Sequence, residues 1–183
     1  MHSSKKDLLD EIFEKALNAP KIFRNKTVLF HDYIPSKLLF RENHVKRLGF
    51  LFAPLLRGQR SSNLFIYGKP GTGKTAVTKY VINRLIQKAH ETKSNIYVSY
   101  INCRIAGTEY RVAYSIARDI DISVPFTGLS IREILNRFQL KISSEKIPIL
   151  IVFDEIDSLV VNHGDDLLYT LTRMNDSNNP VNL

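Results

Sequence analysis

Eight residues, Gly68-Lys69-Pro70-Gly71-Thr72-Gly73-Lys74-Thr75, combine three glycines with two lysines and two hydroxyls. Glycines allow the backbone to curl until successive N–H groups point inward at an anion. A lysine and a threonine at the end of the G-x-x-x-x-G-K-[ST] spacing suit a polyphosphate and its metal. Lys74 is expected to reach the β and γ phosphates, and the Thr75 hydroxyl to ligate Mg²⁺. Gly68, Lys69, Pro70, Gly71, Thr72, Gly73, Lys74, Thr75 and Ala76 are the candidate nucleotide-binding residues, with ATP or ADP as the nucleotide. A glycine-rich turn matching the spacing by chance is the bland alternative. The context argues against it, with an apolar run (Leu64-Phe65-Ile66-Tyr67) before the loop and a helical stretch (Ala76 to Ala89) after it. A helix starting near Lys74 aims its positive dipole end at the same phosphates.

A second cluster, Asp154-Glu155-Ile156-Asp157, follows the continuous apolar run Ile149-Leu150-Ile151-Val152-Phe153. A buried strand ending in acids delivers them to the carboxyl edge of a sheet, where the phosphate loop also opens. Asp154 is expected to hold Mg²⁺ through a coordinated water, and Glu155 to orient and polarise the attacking water as general base. Asp154 and Glu155 are therefore the candidate catalytic residues, and Thr75 and Asp154 the candidate metal ligands. Asp157 braces either the site or the helix after it and is given no chemistry. The alternative, a strand ending in a solvated acidic turn, loses force because the phosphate loop lies 80 residues upstream, counted from Lys74 to Asp154.

Elements to carry these residues are legible around them. Leu8, Leu9, Ile12, Phe13, Ala16 and Leu17 recur at helical spacing, so residues 6–18 read as an amphipathic helix that Pro20 ends. Residues 20–40 read as a linker. A helix follows from Arg41 to Arg57, with Val45, Leu48, Phe52 and Leu55 on one face. Leu64–Tyr67 reads as the strand before the loop, and Ile96 to Asn102 as a second strand. Glu109 to Ile120 reads as a helix. Ser130-Ile131-Arg132-Glu133 is a capping box opening another, which buries Ile134, Leu135 and Phe138. Ile149–Phe153 reads as a strand covered on both faces. A last helix runs from Asp165 to Met174. The alternation predicts an α/β fold, a three-layer sandwich around a mainly parallel sheet.

Length and composition set bounds. The chain has 183 residues, 44% of them hydrophobic, enough for one domain with a real core. Its longest apolar stretch, Ile147 to Phe153, is interrupted by Pro148 and far too short to span a bilayer. Met1-His2-Ser3-Ser4-Lys5-Lys6-Asp7 lacks the apolar core of a secretory signal, and cytoplasmic residence with no membrane partner is expected. The single Cys103 closes no internal disulfide, fits a reducing compartment and reads as a core or strand-end residue rather than a reactive thiol. The five histidines are scattered, without zinc-ligand spacing. Charge is uneven. Residues 1–90 carry 17 Lys+Arg against 6 Asp+Glu, while residues 91–183 carry 9 against 12. A basic half beside a nucleotide site suggests nucleic acid as partner, with a solvated basic surface as the equal alternative.

The two motifs together, Gly68 to Thr75 and Asp154 to Asp157 (Walker A and Walker B), resemble the AAA+ ATPases. The flanking text is narrower: Phe23-Arg24-Asn25-Lys26, Asp32-Tyr33-Ile34-Pro35, Phe40-Arg41-Glu42-Asn43, Leu55-Leu56-Arg57-Gly58, Ile101-Asn102-Cys103-Arg104, Tyr110-Arg111-Val112 and Gly164 to Arg173. It is similar to archaeal replication initiators of the origin-recognition-complex type, from about residue 20 onward. The resemblance implies an ATP-switched initiator that hydrolyses ATP slowly, recognises double-stranded origin DNA and helps load the replicative helicase, alone or with copies of itself or paralogues. It implies that Tyr33, Ile34, Pro35 and Arg41 contact the base and ribose; an apolar linker over the sheet edge accounts for them equally well. It places DNA contacts within Ile105 to Pro125, where Arg111 and Arg118 equally suit a solvated helix face. In the family, a sensor strand, an arginine finger, a lid and a winged helix follow. The expectation is thus a fragment, with an N-terminal helix and base-contacting linker at 1–40 and an incomplete ATPase domain at 41–183, truncated before the sensor strand, with weak binding and little turnover. Another AAA+ motor or clamp loader, a signalling P-loop NTPase, and an interaction module that has lost the chemistry are the competing readings. Glu155 speaks against the last.

Overall fold

The computed structural model describes residues 7–19, 23, 25–30, 33–35 and 37–174. Expectations resting on Pro20, Arg24, Asp32 and the stretch from 175 onward lie outside the described residues. The chain divides into two units, residues 1–35 and 36–183.

In the first unit, the expected amphipathic helix is α1 (Leu8–Asn18). The Asp7 carboxylate caps it by accepting from the Leu9 N–H at 3.3 Å. Asp10 and Glu11 in the first turn and Lys15 in the last complement the helix dipole. Within the stretch read as a linker, Lys26–Leu29 forms a 3-10 turn. Asn25 starts it by accepting from the Thr27 N–H at 2.9 Å and the Thr27 hydroxyl at 2.6 Å, so a local side-chain bond replaces the extended backbone that a linker suggests.

The second unit is built around two parallel strands, β1 (Tyr97–Asn102) and β2 (Ile149–Asp154), aligned Tyr97 to Ile149 through Asn102 to Asp154. Side chains alternate between the two faces of a sheet, and each face has its own helical layer. Val98, Tyr100, Leu150 and Val152 pack against α2 (Glu42–Phe52) and α3 (Lys74–Thr92), through Leu48, Phe52, Val77, Val81 and Leu85. Ile101, Ile149, Ile151 and Phe153 pack on the opposite side against α5 (Glu109–Asp119), α6 (Ile131–Glu145), α7 (Ile156–His163) and α8 (Asp166–Arg173). The short α4 (Cys103–Ala106) links β1 to α5. Helices on both faces of a parallel sheet make the three-layer α/β arrangement expected from the alternation. No helix among the described residues is long and apolar enough to cross a membrane.

Local chemistry sets the boundaries. Pro54 turns the end of α2 into a 3-10 turn (Ala53–Arg57), which Gly58 closes at φ +70°. Lys93, with φ +54°, ends α3. Thr108 caps α5 through the Arg111 N–H, and Ser130 caps α6 through the Glu133 N–H. Only half of the expected capping box forms, because the Glu133 carboxylate takes Arg137 instead, at 2.9 Å. Cys103 is fully buried, as expected of a strand-end core residue. Burial raises its thiol pKa to about 11, helped by Asp154 and Asp157, which disfavours the reactive thiolate.

Two expectations fail together. Leu64–Tyr67 is not a strand: residues 59–69 have no regular secondary structure, and Phe65 and Tyr67 are 73% and 83% exposed. In β2 only Ile149 is buried, the rest being half-exposed, so the strand is not covered as its apolar run suggests. The cause is shared. A strand exists by pairing its N–H and C=O groups with a neighbour. Among the described residues β2 pairs with β1 alone, and nothing pairs with 64–67.

Candidate functional site

The loop Gly68–Gly73 leads into α3 without a preceding strand. Gly71 and Gly73 sit at φ +74° and +85°, left-handed backbone that side-chain-bearing residues rarely adopt, and Gly73 is the N-cap of α3. This turn lets the loop close on itself. The Thr72 hydroxyl donates to the Lys69 carbonyl at 2.9 Å. The Lys74 ammonium donates to the carbonyls of Gly68 and Lys69 at 2.8 and 3.0 Å. The main-chain N–H groups of Gly71, Thr72 and Gly73 donate to no described residue. An exposed run of free N–H groups with a lysine folded across it and a helix N-terminus behind it favours anions.

The other half comes from the sheet. Asp154 closes β2 and has the same alternation parity as Leu150 and Val152, so it faces α3. There the Thr75 hydroxyl lies 3.2 Å from each carboxylate oxygen of Asp154. Two residues 79 positions apart are thus brought into contact.

Tyr100 completes this contact, and the sequence reading missed it. Its phenol donates to Asp154 Oδ2 at 2.6 Å. Burial, reinforced by that bond, pushes the phenol pKa well above its ordinary value, so it remains a proton donor. The Lys79 ammonium lies over the Tyr100 ring, 5.0 Å from its centroid. The signal was available: Tyr100 shares the parity of Val98 on β1, whereas apolar pattern alone assigns such a tyrosine to packing.

Glu155 is exposed and adopts φ +54°, ψ +42° as the N-cap of α7. A non-glycine residue there carries backbone strain of about 1–2 kcal/mol. The strain persists because α7, the helix this turn begins, is anchored along its length. Leu159 is 2% exposed, and His163 Nε2 contacts the Gly107 carbonyl at 2.7 Å. Asp157 lies in the first turn of α7 and points to solvent, where its charge complements the helix N-terminus.

Arg41 is half-buried at the N-cap of α2, and a Cβ placed on Gly73 would lie 3.9 Å from its Nε. Its guanidinium therefore borders the phosphate loop. Tyr33, Ile34 and Pro35 belong to the first unit, Tyr33 exposed and the other two half-buried. Arg111 and Arg118 are exposed on α5.

The donor set suits one kind of metal. No group of three or more His, Cys, Asp and Glu that could hold an ion is present among the described residues. One hydroxyl and one carboxylate, both hard oxygen donors, fit Mg²⁺, which is held by one or two protein groups together with phosphate oxygens and water. A closed zinc or calcium cage needs more protein ligands than these.

Comparison with known proteins adds to this geometry. The AAA domain family matches residues 57–183. The chain is 47% identical over 168 residues to ORC1-type DNA replication protein 1 of Sulfurisphaera tokodaii, covering 92% of this chain and 41% of the relative. It is 41% identical over 171 residues to the ORC1-type DNA replication protein of Thermococcus onnurineus, covering 91% and 41%. Among solved structures, the Aeropyrum pernix ORC1 protein in complex with DNA superposes with a TM-score of 0.79 at 44% identity, covering 86% of this chain and 41% of that one. Cdc6p of Pyrobaculum aerophilum gives 0.68 at 26% identity, covering 82% and 38%. The chain spans about two-fifths of the length of the curated relatives it matches.

Proposed function

Because this chain belongs to the AAA domain family, we propose that it is the ATP-binding part of a DNA replication initiator of the ORC1 type. The observation that carries the reading is the Thr75–Asp154 contact, 3.2 Å across 79 residues. It joins the phosphate loop to an acidic strand end on one side of the sheet. In this reading the free N–H groups of Gly71, Thr72 and Gly73, with Lys74, take the β and γ phosphates of ATP. Lys74 exchanges the carbonyls of Gly68 and Lys69 for phosphate oxygens. Thr75 and Asp154 would hold Mg²⁺, which would supply positive charge to offset that of the phosphates. Glu155 polarises the attacking water. Arg41, beside Gly73, contacts the ribose. With 64–67 unpaired, the stem of the loop is loose, so weak binding is expected.

DNA is proposed as the second ligand. The similar Aeropyrum pernix protein was solved in complex with DNA, and residues 1–90 are strongly basic. The exposed Arg111 and Arg118 are the proposed contacts on α5. Recruitment of the replicative helicase, assembly with copies or paralogues, and a cytoplasmic setting belong to the same proposal.

Titration of a fluorescent ATP analogue tests it. The parent chain should bind, and Lys74→Ala should lose at least about a hundredfold in affinity, as expected for a desolvated charge contact worth about 3 kcal/mol. Lys74→Ala should still bind DNA, with affinity falling steeply as salt rises. Equal nucleotide affinity in parent and variant would refute the assignment.

A further inference from the structure

The reading above leaves one polar contact of the site without a role. Asp154 accepts from two donors on different elements, the Thr75 hydroxyl of α3 and the Tyr100 phenol of β1. They differ in setting. Thr75 is exposed and Tyr100 half-buried within the sheet face. The Tyr100 bond is also the shorter, 2.6 Å against 3.2 Å, in the range of a strong hydroxyl–carboxylate bond.

We propose that Tyr100 is a positioning residue that fixes the Asp154 carboxylate for Mg²⁺. The inference rests on the proposed nucleotide site and names a component that the motifs do not contain. Tyr100 pairs with Val152, two residues before Asp154, so both side chains leave the sheet on the same face. The phenol occupies Oδ2 from the protein side. Oδ1, which among the described residues accepts only from the exposed Thr75 hydroxyl, is the oxygen left for a hydrated ion. Lys79 strengthens the arrangement. It lies one helical turn after Thr75, so α3 presents both residues on one face. One meets Asp154, and the other covers the Tyr100 ring at 5.0 Å. A cation over a phenol face holds the ring in place and polarises its O–H toward donation. Thr75, Lys79, Tyr100 and Asp154 thus form a closed set bridging helix and sheet.

Groups that hydrogen-bond to metal ligands commonly affect metal affinity by about 10- to 100-fold. Tyr100→Phe keeps the ring and its packing and removes only the donor. The measurement is a Mg²⁺ titration of the 183-residue chain at fixed fluorescent ATP analogue, paired with analogue affinity in EDTA. The expected result is a Mg²⁺ midpoint raised about tenfold or more, with EDTA affinity unchanged within about twofold. Lys79→Met should shift the midpoint the same way by less. A midpoint unchanged in Tyr100→Phe would overturn the inference. An equal loss with and without metal would also overturn it, since that is what a merely structural role produces. Asp154→Asn separates the two levels of argument. If Asp154→Asn abolishes the Mg²⁺ dependence of the parent and Tyr100→Phe does not alter it, only the role of Tyr100 is wrong. If parent and Asp154→Asn respond alike to Mg²⁺, the proposed site fails and the role of Tyr100 fails with it.

Discussion

The two faces of the sheet are closed to different degrees. On the side of α5 and α6, Val112, Ala117, Ile120 and Ile134 have no solvent exposure at all. On the side of α2 and α3, Leu48, Val77 and Leu85 each keep 7%, and beyond them Phe65 and Tyr67 stand in solvent. Both sides have helices of adequate length and apolar spacing, so propensity does not explain the contrast. The closed side is bounded by four helices that pack on one another and on the sheet. The open side borders the phosphate loop, whose N–H groups are left free. Segments that must receive a ligand come from the less stable end of a structure, and the less closed face is the one that carries the proposed nucleotide site.

Substitutions can break or sharpen that contrast. Phe138→Ala on α6, where Phe138 is 1% exposed, should cost about 3–5 kcal/mol in denaturant unfolding. Leu48→Ala on α2 should cost less, about 2 kcal/mol; equal losses would mean that the two faces are equally consolidated. Alkaline pH offers a second probe, again on the closed side. The Cys103 thiol ionises near 9.0 when unfolded and only near about 11 when folded. Its contribution to stability is fully present below pH 9.0 and is lost as pH rises through 11. Stability should fall by about 1–3 kcal/mol over that interval. Cys103→Ala should flatten the fall, leaving the parts due to Tyr100 and Tyr97, whose raised phenol pKa values act in the same direction above 10.0. Ser130→Ala should cost about 1 kcal/mol by leaving the Glu133 N–H uncapped. Tyr67→Ser, at a side chain 83% exposed, should change stability by no more than about 0.5 kcal/mol. A larger loss would show that residues 64–67 are held after all.

What the sequence discloses follows from the range of the forces involved. Helices α3, α5 and α6 were legible because periodicity and capping are local, and each side chain reports its own position. Thr75 and Asp154 were legible as partners because two motifs with fixed chemistry imply one shared ligand. The run Leu64–Tyr67 misled because β propensity describes residues that fit a sheet without supplying the neighbouring strand. Helix α4 escaped because Cys103–Ala106 is too short to show a period, and α7 because Ile156–His163 directly continues a strand end. Tyr100 escaped for another reason. Its contact with Asp154 depends on the register between β1 and β2, which pairs Tyr100 with Val152, and register is a long-range property.

The left-handed backbone at Glu155 sets a limit on laboratory improvement of this protein. Glycine at 155 would relieve the turn and is expected to raise thermal stability by up to about 1 kcal/mol, while β-branched residues there should lower it. A library selected for heat resistance alone would therefore tend to discard, at a single codon, the carboxylate next to Asp154 that is proposed to polarise the attacking water.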